Sequence, residues 1–169
     1  MYPADEDSFL LQKLVLKYTK GNVLDMGCGS GIQSLTALKK TPSVLAVDIN
    51  PEAVKFCKKK GINAIQSNLF ENLHGKKFDL IIFNPPYLPK SDNDYGNEPD
   101  LTSGKIGSET IEKFLKEAKA HLNKNGKILI LFSSLTKNIS KIIKKYNYKF
   151  KKLAKKRFFF ETLYVYLIW

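Results

Sequence analysis

At 169 residues, the chain has room for one domain of ordinary size and little for a second. Its 43% hydrophobic and 12% aromatic residues can bury a core, which excludes disorder as the dominant state, and its longest apolar runs, such as Leu163 to Trp169, are too short to cross a bilayer. The 28 Lys+Arg against 16 Asp+Glu leave a formal charge of +12. Two cysteines, Cys28 and Cys57, are too few for a disulfide framework or an unaided zinc site, and no metal site is expected. The acidic start, Met1 to Asp7, lacks the apolar core of a secretory signal. The expectation is one soluble, cytoplasmic domain over 1–169 with no membrane contact.

Phe9 to Leu16 carries apolar residues on helical spacing, with Ser8 as the expected N-cap and Gly21 as the stop. Asn22 to Met26 reads as a buried strand, followed at once by Gly27-Cys28-Gly29-Ser30-Gly31 and a short helix over Ile32 to Lys40. A second strand covers Ser43 to Asp48. Pro51 opens the next helix, which ends at Gly61. Strands follow at Ala64 to Gln66 and Phe78 to Phe83.

The polar stretch Tyr87 to Gly107 is too long for an ordinary connection and reads as a functional lid or a disordered segment. Ser108 to Asn123 is expected as a helix capped by Ser108, with Gly126 ahead of a strand over Lys127 to Phe132. A helix near Lys137 to Lys145 and strands near Tyr148 to Leu153 and Glu161 to Trp169 complete the chain. Alternating strands and helices imply right-handed crossovers and a mostly parallel sheet covered on both faces. Two final strands without a helix between them imply an antiparallel hairpin at one edge, in a three-layer α/β sandwich.

The charge is uneven. Between Glu117 and Glu161 there is no acid, while twelve lysines and Arg157 fall there. Such a face attracts nucleic acid, the ribosome or an acidic protein; a lysine-rich solvated surface has the same composition.

Asp25-Met26-Gly27-Cys28-Gly29-Ser30-Gly31 falls at the carboxyl end of the first strand, where open parallel sheets bind ligands. Its glycines let the backbone approach a ligand closely. Asp48 ends the second strand, where a carboxylate can accept from both hydroxyls of a ribose. The dinucleotide fingerprint is G-x-G-x-x-G, whereas the spacing here is G-x-G-x-G. An acid beside the loop repels a pyrophosphate but suits the ammonium of S-adenosylmethionine (SAM). Cys28 reads as a small filler of the loop.

Asn84-Pro85-Pro86-Tyr87 directly follows the fourth strand. A planar amine or amide nitrogen is a poor nucleophile, because its lone pair is delocalised. The Asn84 side-chain oxygen and the Pro85 carbonyl can hold its two N–H groups, Tyr87 can stack on the planar group, and the prolines stiffen the corner. Transfer from a sulfonium is an in-line displacement, so alignment supplies most of the acceleration.

Asp25-x-Gly27-x-Gly29-x-Gly31 with Asp48 resembles the class I SAM-dependent methyltransferases, which implies their Rossmann-like fold with a seven-stranded sheet. Tyr2-Pro3-Ala4-Asp5-Glu6-Asp7-Ser8-Phe9-Leu10-Leu11, Asn84 to Tyr87, Ser103 to Gly107 and Arg157 to Val165 together resemble the HemK-like glutamine methyltransferases of the eukaryotic and archaeal type. That resemblance implies methylation of the side-chain nitrogen of glutamine in the Gly-Gly-Gln loop of a class I translation release factor. It implies a SAM site at Ser8, Asp25, Gly27, Gly29, Asp48, Asn68, Leu69 and Asn84. It also implies a heterodimer with a small zinc-containing activator, docked near Ile62 to Ile65.

The chain starts at the Tyr2-Pro3 motif, so no N-terminal helical domain of the bacterial kind is expected. It departs from the family at Asn68, where an acid is usual, and at Leu101-Thr102, where an aromatic residue is usual. Asn68 can still accept from an adenine amino group through its amide oxygen. Two alternatives stand beside the glutamine reading: an RNA or DNA amino-group methyltransferase, and a non-catalytic SAM-binding scaffold.

Overall fold

The structure is a computed structural model that describes residues 6–85 and 108–169. The elements run α1 (Glu6–Tyr18), β1 (Val23–Met26), α2 (Ile32–Leu38), β2 (Val44–Asp48), α3 (Pro51–Lys59), β3 (Ala64–Gln66) and β4 (Phe78–Phe83). After them come α4 (Glu109–Ala118), a 3-10 turn (Lys119–His121), β5 (Leu122–Ser133), α5 (Ile139–Lys145), β6 (Phe150–Arg157) and β7 (Thr162–Ile168).

The seven strands form one sheet in the order β3-β2-β1-β4-β5-β7-β6. β3, β2, β1, β4 and β5 are parallel, whereas β7 runs antiparallel between β5 and β6. The expected edge hairpin is therefore present, with β6 outermost. All four residues of β1 are buried, as suits a central parallel strand covered on both faces. The order reverses between β1 and β4, and ligands of open α/β sheets bind at such a switch point, outside the carboxyl ends of the strands.

Right-handed crossovers place the helices. From β1 the chain moves outward through α2 to β2 and through α3 to β3; from β4 it moves the other way through α4 to β5. The two directions put α2 and α3 on one face and α4 on the other. α1 packs with α2, and α5 packs with α4, which completes three layers. The main core fills both interfaces, with Leu11, Val15, Phe114, Leu115 and Ile143 meeting Leu24, Ile81 and Ile130. A smaller cluster of Cys28, Ala46, Val54, Cys57, Ile62 and Ala64 sits under α3.

Three boundaries differ from expectation. Ser8 lies inside α1, not at its cap; its carbonyl accepts from Gln33 Nε2 at 2.8 Å, which ties the first turn of α1 to α2. The helix expected over Ser108 to Asn123 begins at Glu109, stops at Ala118, and Asn123 already belongs to β5. Asn125 turns to φ +68 where β5 slips register against β4 between Phe78 and Leu80. Gly126 packs into that bulge, where a Cβ would come 2.8 Å from the Phe78 carbonyl oxygen. The Asn-Gly pair thus serves a bulge rather than a helix end. β6 also extends to Arg157, beyond the expected Leu153, because its lysines pair along β7 as an edge strand, where charged side chains are well tolerated.

Candidate active site

The carboxyl ends of β1, β2 and β4 share one rim. Gly27, just after β1, holds φ +67, and a Cβ on it would stand 3.7 Å from the Phe83 ring and 3.9 Å from the Asn84 carbonyl oxygen. The glycine loop and the corner after β4 are therefore neighbours. Gly31 holds φ +76 at the start of α2, where a Cβ would come 2.7 Å from Ile62 Cδ1 and 3.0 Å from Cys57 Sγ. Only a residue without a side chain lets α2 begin this close to the small core cluster.

Asp25 is buried in β1, and Ser34 Oγ donates to its Oδ2 at 2.6 Å. Burial pushes its carboxyl up to about 7; the Ser34 hydrogen bonds oppose the rise and the charge of Asp48 adds to it. Among the described residues no cation forms an ion pair with Asp25. A carboxyl so placed favours the arrival of a positively charged ligand group, which restores its ionised form.

Asp48 is held at the end of β2 by the loops on either side. Its Oδ2 accepts from the Gly29 N–H at 2.8 Å and its Oδ1 from the Asn50 N–H at 3.0 Å. A carboxylate has roughly four lone-pair positions, so this one retains acceptor capacity for a diol. Ile49 beside it is exposed, and its carbonyl accepts from Gln66 Nε2 at 3.0 Å. An apolar side chain fixed beside a diol acceptor forms a wall for a purine, a residue the sequence reading passed over.

Asn68 Nδ2 donates to Glu71 Oε1 at 2.7 Å, which turns the amide oxygen away from Glu71 as an acceptor. Leu69 follows at φ +51, an unfavourable conformation for a branched side chain that persists where the surroundings enforce it. Ser67 enforces it here: its Oγ donates to the Leu69 carbonyl at 2.9 Å and accepts from the Asn72 N–H at 3.0 Å.

Asn84 is half-buried and Pro85 buried at the end of β4. Pro86, Tyr87, the lid expected over Leu88 to Gly107, and the motifs at Leu101-Thr102 and Ser103 to Gly107 lie outside the described residues. Ser8 is buried beside the first turn of α2, the side of the rim where the glycine loop ends. Cys57 Sγ lies 3.5 Å from Cys28 Sγ and 3.6 Å from the Gly29 carbonyl oxygen. The Cys57 contact and burial push the Cys28 thiol up, so Cys28 is an inert packing group of the loop. The sequence reading also missed Ser34 and Gln33, whose only sequence signal is a position in the first turn after the glycine loop.

The residues present fit SAM. A buried acid suits its ammonium, a fixed carboxylate its ribose diol, and Ile49, Leu69 and the Asn68 amide oxygen its adenine. A strand-end acid, a glycine loop and an asparagine-proline corner at one switch point define a methyltransferase. Residues 4–160 match the family model for the methyltransferase small domain. The chain belongs to that family, and SAM is its methyl donor.

Among its relatives is a candidate protein N5-glutamine methyltransferase of Methanocaldococcus jannaschii, 38% identical over 100% of this chain and 91% of that protein. The E. cuniculi Mtq2–Trm112 complex, responsible for methylation of the eRF1 translation termination factor, contains a similar fold. Its TM-score is 0.79 at 22% identity, over 99% of this chain and 96% of that one. A Bacteroides fragilis SAM-dependent methyltransferase in complex with S-adenosyl-L-homocysteine gives a TM-score of 0.66 at 22% identity, over 94% of this chain and 76% of that one. Both likenesses show the fold. The chain spans about half or less of the length of the bacterial glutamine methyltransferases it also matches.

Proposed function

We propose that the chain methylates the side-chain amide nitrogen of glutamine in the Gly-Gly-Gln loop of a class I translation release factor. Bound SAM supplies an electrophilic sulfonium methyl. Asp25 holds the ammonium end, Gly27 and Gly29 admit the chain of the donor against the backbone, and Asp48 accepts from the ribose. Asn68, Leu69 and Ile49 enclose the adenine, and Ser8 closes the side of the site next to α2.

The Asn84 side-chain oxygen and the Pro85 carbonyl accept the two N–H groups of the substrate amide. The sequence motif adds a second proline, Pro86, to stiffen the corner and an aromatic residue, Tyr87, suited to stacking on a planar amide. Held so, the nitrogen lone pair points along the line of displacement, and positioning supplies the rate. The observation that carries this reading is the approach of Gly27 to the Asn84 carbonyl, which sets donor and acceptor sites on one edge.

The catalytic subunit works as a heterodimer with a small zinc-containing activator. Among the described residues β3 is the outermost strand on its side and pairs only with β2, so its other backbone edge can take an added strand. Within the expected docking stretch Ile62 is buried, Asn63 exposed and Ile65 half-buried; contact there falls to the backbone, Asn63 and Ile65. The basic C-terminal half offers a contact surface to RNA or the ribosome. The enzyme acts in the cytoplasm as a single domain.

The test is transfer of label from SAM to a release factor, to its Gln→Asn loop variant and to total RNA, with and without the activator. Label on the release factor and none on the variant is the expected result. Label on RNA alone overturns the glutamine reading in favour of nucleic-acid amino-group methylation, and bound SAM with no label anywhere favours a scaffold.

A further inference from the structure

A second concave surface lies beyond the donor site. A groove of about 460 Å³ runs between the start of α5 and the β5-β7-β6 face, lined by Phe132, Ser134, Lys141, Lys152, Tyr164 and Tyr166. Lys141 and Lys152 are exposed and come from different elements. Lysines on an edge strand such as β6 discourage pairing with a foreign sheet, but that does not account for Lys141 of α5 converging on the same groove. Among the described residues neither lysine has a carboxylate partner, and no acid occurs from 118 to 160.

Half-buried aromatic rings stand between these cations. Tyr166 stacks on Phe150 with centroids 5.2 Å apart and meets Phe132 edge-on at 4.8 Å. The Lys152 ammonium stands 5.5 Å from the centroid of Tyr164. Rigid rings flanked by lysines and a serine hydroxyl make a stacking platform beside phosphate sites, the combination that holds an unpaired polynucleotide strand. An acidic peptide would use the lysines and leave the rings unused.

We propose that this groove binds single-stranded RNA, with a base against Tyr164 and phosphates at Lys141 and Lys152. The site does not depend on methyl transfer, but it opens on the same rim. Ser133 ends β5 and Ser134 follows it as Asn84 follows β4, and β4 and β5 are parallel neighbours with Phe83 opposite Ile130. The groove is thus about two strands from the Asn84 corner, on the order of 10 Å at ordinary strand spacing. RNA held there lies beside the rim that carries the Asn84 corner.

The test is fluorescence anisotropy of a labelled single-stranded RNA of mixed sequence with the full chain, at low and at moderate salt. Binding is expected at low salt and weakens as salt rises. The double variant Lys141→Glu/Lys152→Glu loses affinity at least tenfold, and Tyr164→Leu loses several-fold, a loss that persists at moderate salt. Lys55→Glu/Lys58→Glu on α3 serves as a control of equal charge change and leaves affinity within twofold. All variants are first matched to the parent by circular dichroism and melting temperature; if Tyr164→Leu melts early, Tyr164→His keeps a ring and is expected to retain most of the binding. Absence of binding at low salt, equal losses in the α3 control, or competition by polyglutamate as strong as by unlabelled RNA each overturns the proposal; the last identifies an acidic protein as the partner.

Discussion

The two wings of the sheet solve opposite electrostatic problems. On the β1-β2 side the rim carries two acids, one buried with its carboxyl pushed up to about 7 and one pinned by backbone N–H groups. On the β5-β7-β6 side thirteen basic residues fall between 118 and 160 with no acid among them. The first wing is specific through geometry: few charges, each fixed, beside glycines that a side chain would displace. The second acts through a field, in which many mobile lysines contribute a little each. Single substitutions should therefore be severe on the first wing and mild on the second.

The largest effect is expected at Asn84. Asn84→Ala should lower turnover roughly 10²- to 10³-fold, the usual cost of one preorganised polar contact to a reacting group, while S-adenosylhomocysteine affinity by calorimetry changes only a few-fold. Equal losses in both would make Asn84 a cofactor ligand rather than the acceptor clamp.

Asp25→Asn comes next, with two readouts that move in opposite directions. Ligand affinity should fall on the order of 10- to 100-fold as the charge partner of the ammonium is lost. Stability of the unliganded protein should rise at pH 8. The parent carboxyl titrates near 7 when folded and near 3.8 when unfolded. Between those values the unfolded chain releases a proton that the folded chain keeps, so stability falls as pH rises through that window. The loss amounts to about 4 kcal/mol, at roughly 1.4 kcal/mol per pH unit, and thermal melts of the variant should lack it. The same titration makes parent affinity for S-adenosylhomocysteine weaken as pH drops below about 7.

Gly31→Ala should cost roughly 2 kcal/mol in chemical denaturation, from its positive φ and the close Ile62 and Cys57 side chains. At the far end of the scale, Phe159→Ser and Phe160→Ser, at 93% and 84% exposure on the β6-β7 turn, should each leave stability within about 0.5 kcal/mol. A large effect there would mean that the second wing is as geometrically constrained as the first.

The sequence makes the cofactor wing more legible than the other for the same physical reason. Asp25, Gly27, Gly29 and Asp48 stand at fixed offsets from strand ends, and strand ends follow from runs such as Val44-Leu45-Ala46-Val47. β3 and β4 lie at their expected positions because each is bounded by polar residues on both sides. Ser34 and Ile49 escaped notice, since their roles depend on contacts across the rim that no local pattern encodes. The cap assigned to Ser8 failed because α1 already includes Glu6, and the Ser8 carbonyl is engaged by Gln33 from α2. The helix expected to reach Asn123 failed because helical spacing continued past Ala118, whereas pairing of Leu122 with Phe78 drew the chain into β5. β6 extended past Leu153 for a comparable reason: its lysines have weak strand propensity, and β7 supplies the pairing that overrides it.

The most direct test of the donor-to-corner geometry is a crystal structure of the chain, with its activator if needed, bound to S-adenosylhomocysteine. The thioether sulfur should face the Asn84 side-chain oxygen and the Pro85 carbonyl across an open gap, with the ligand ammonium against Asp25. A ligand lying with its sulfur away from Asn84, or a gap filled by the protein's own side chains, would contradict methyl transfer at this corner.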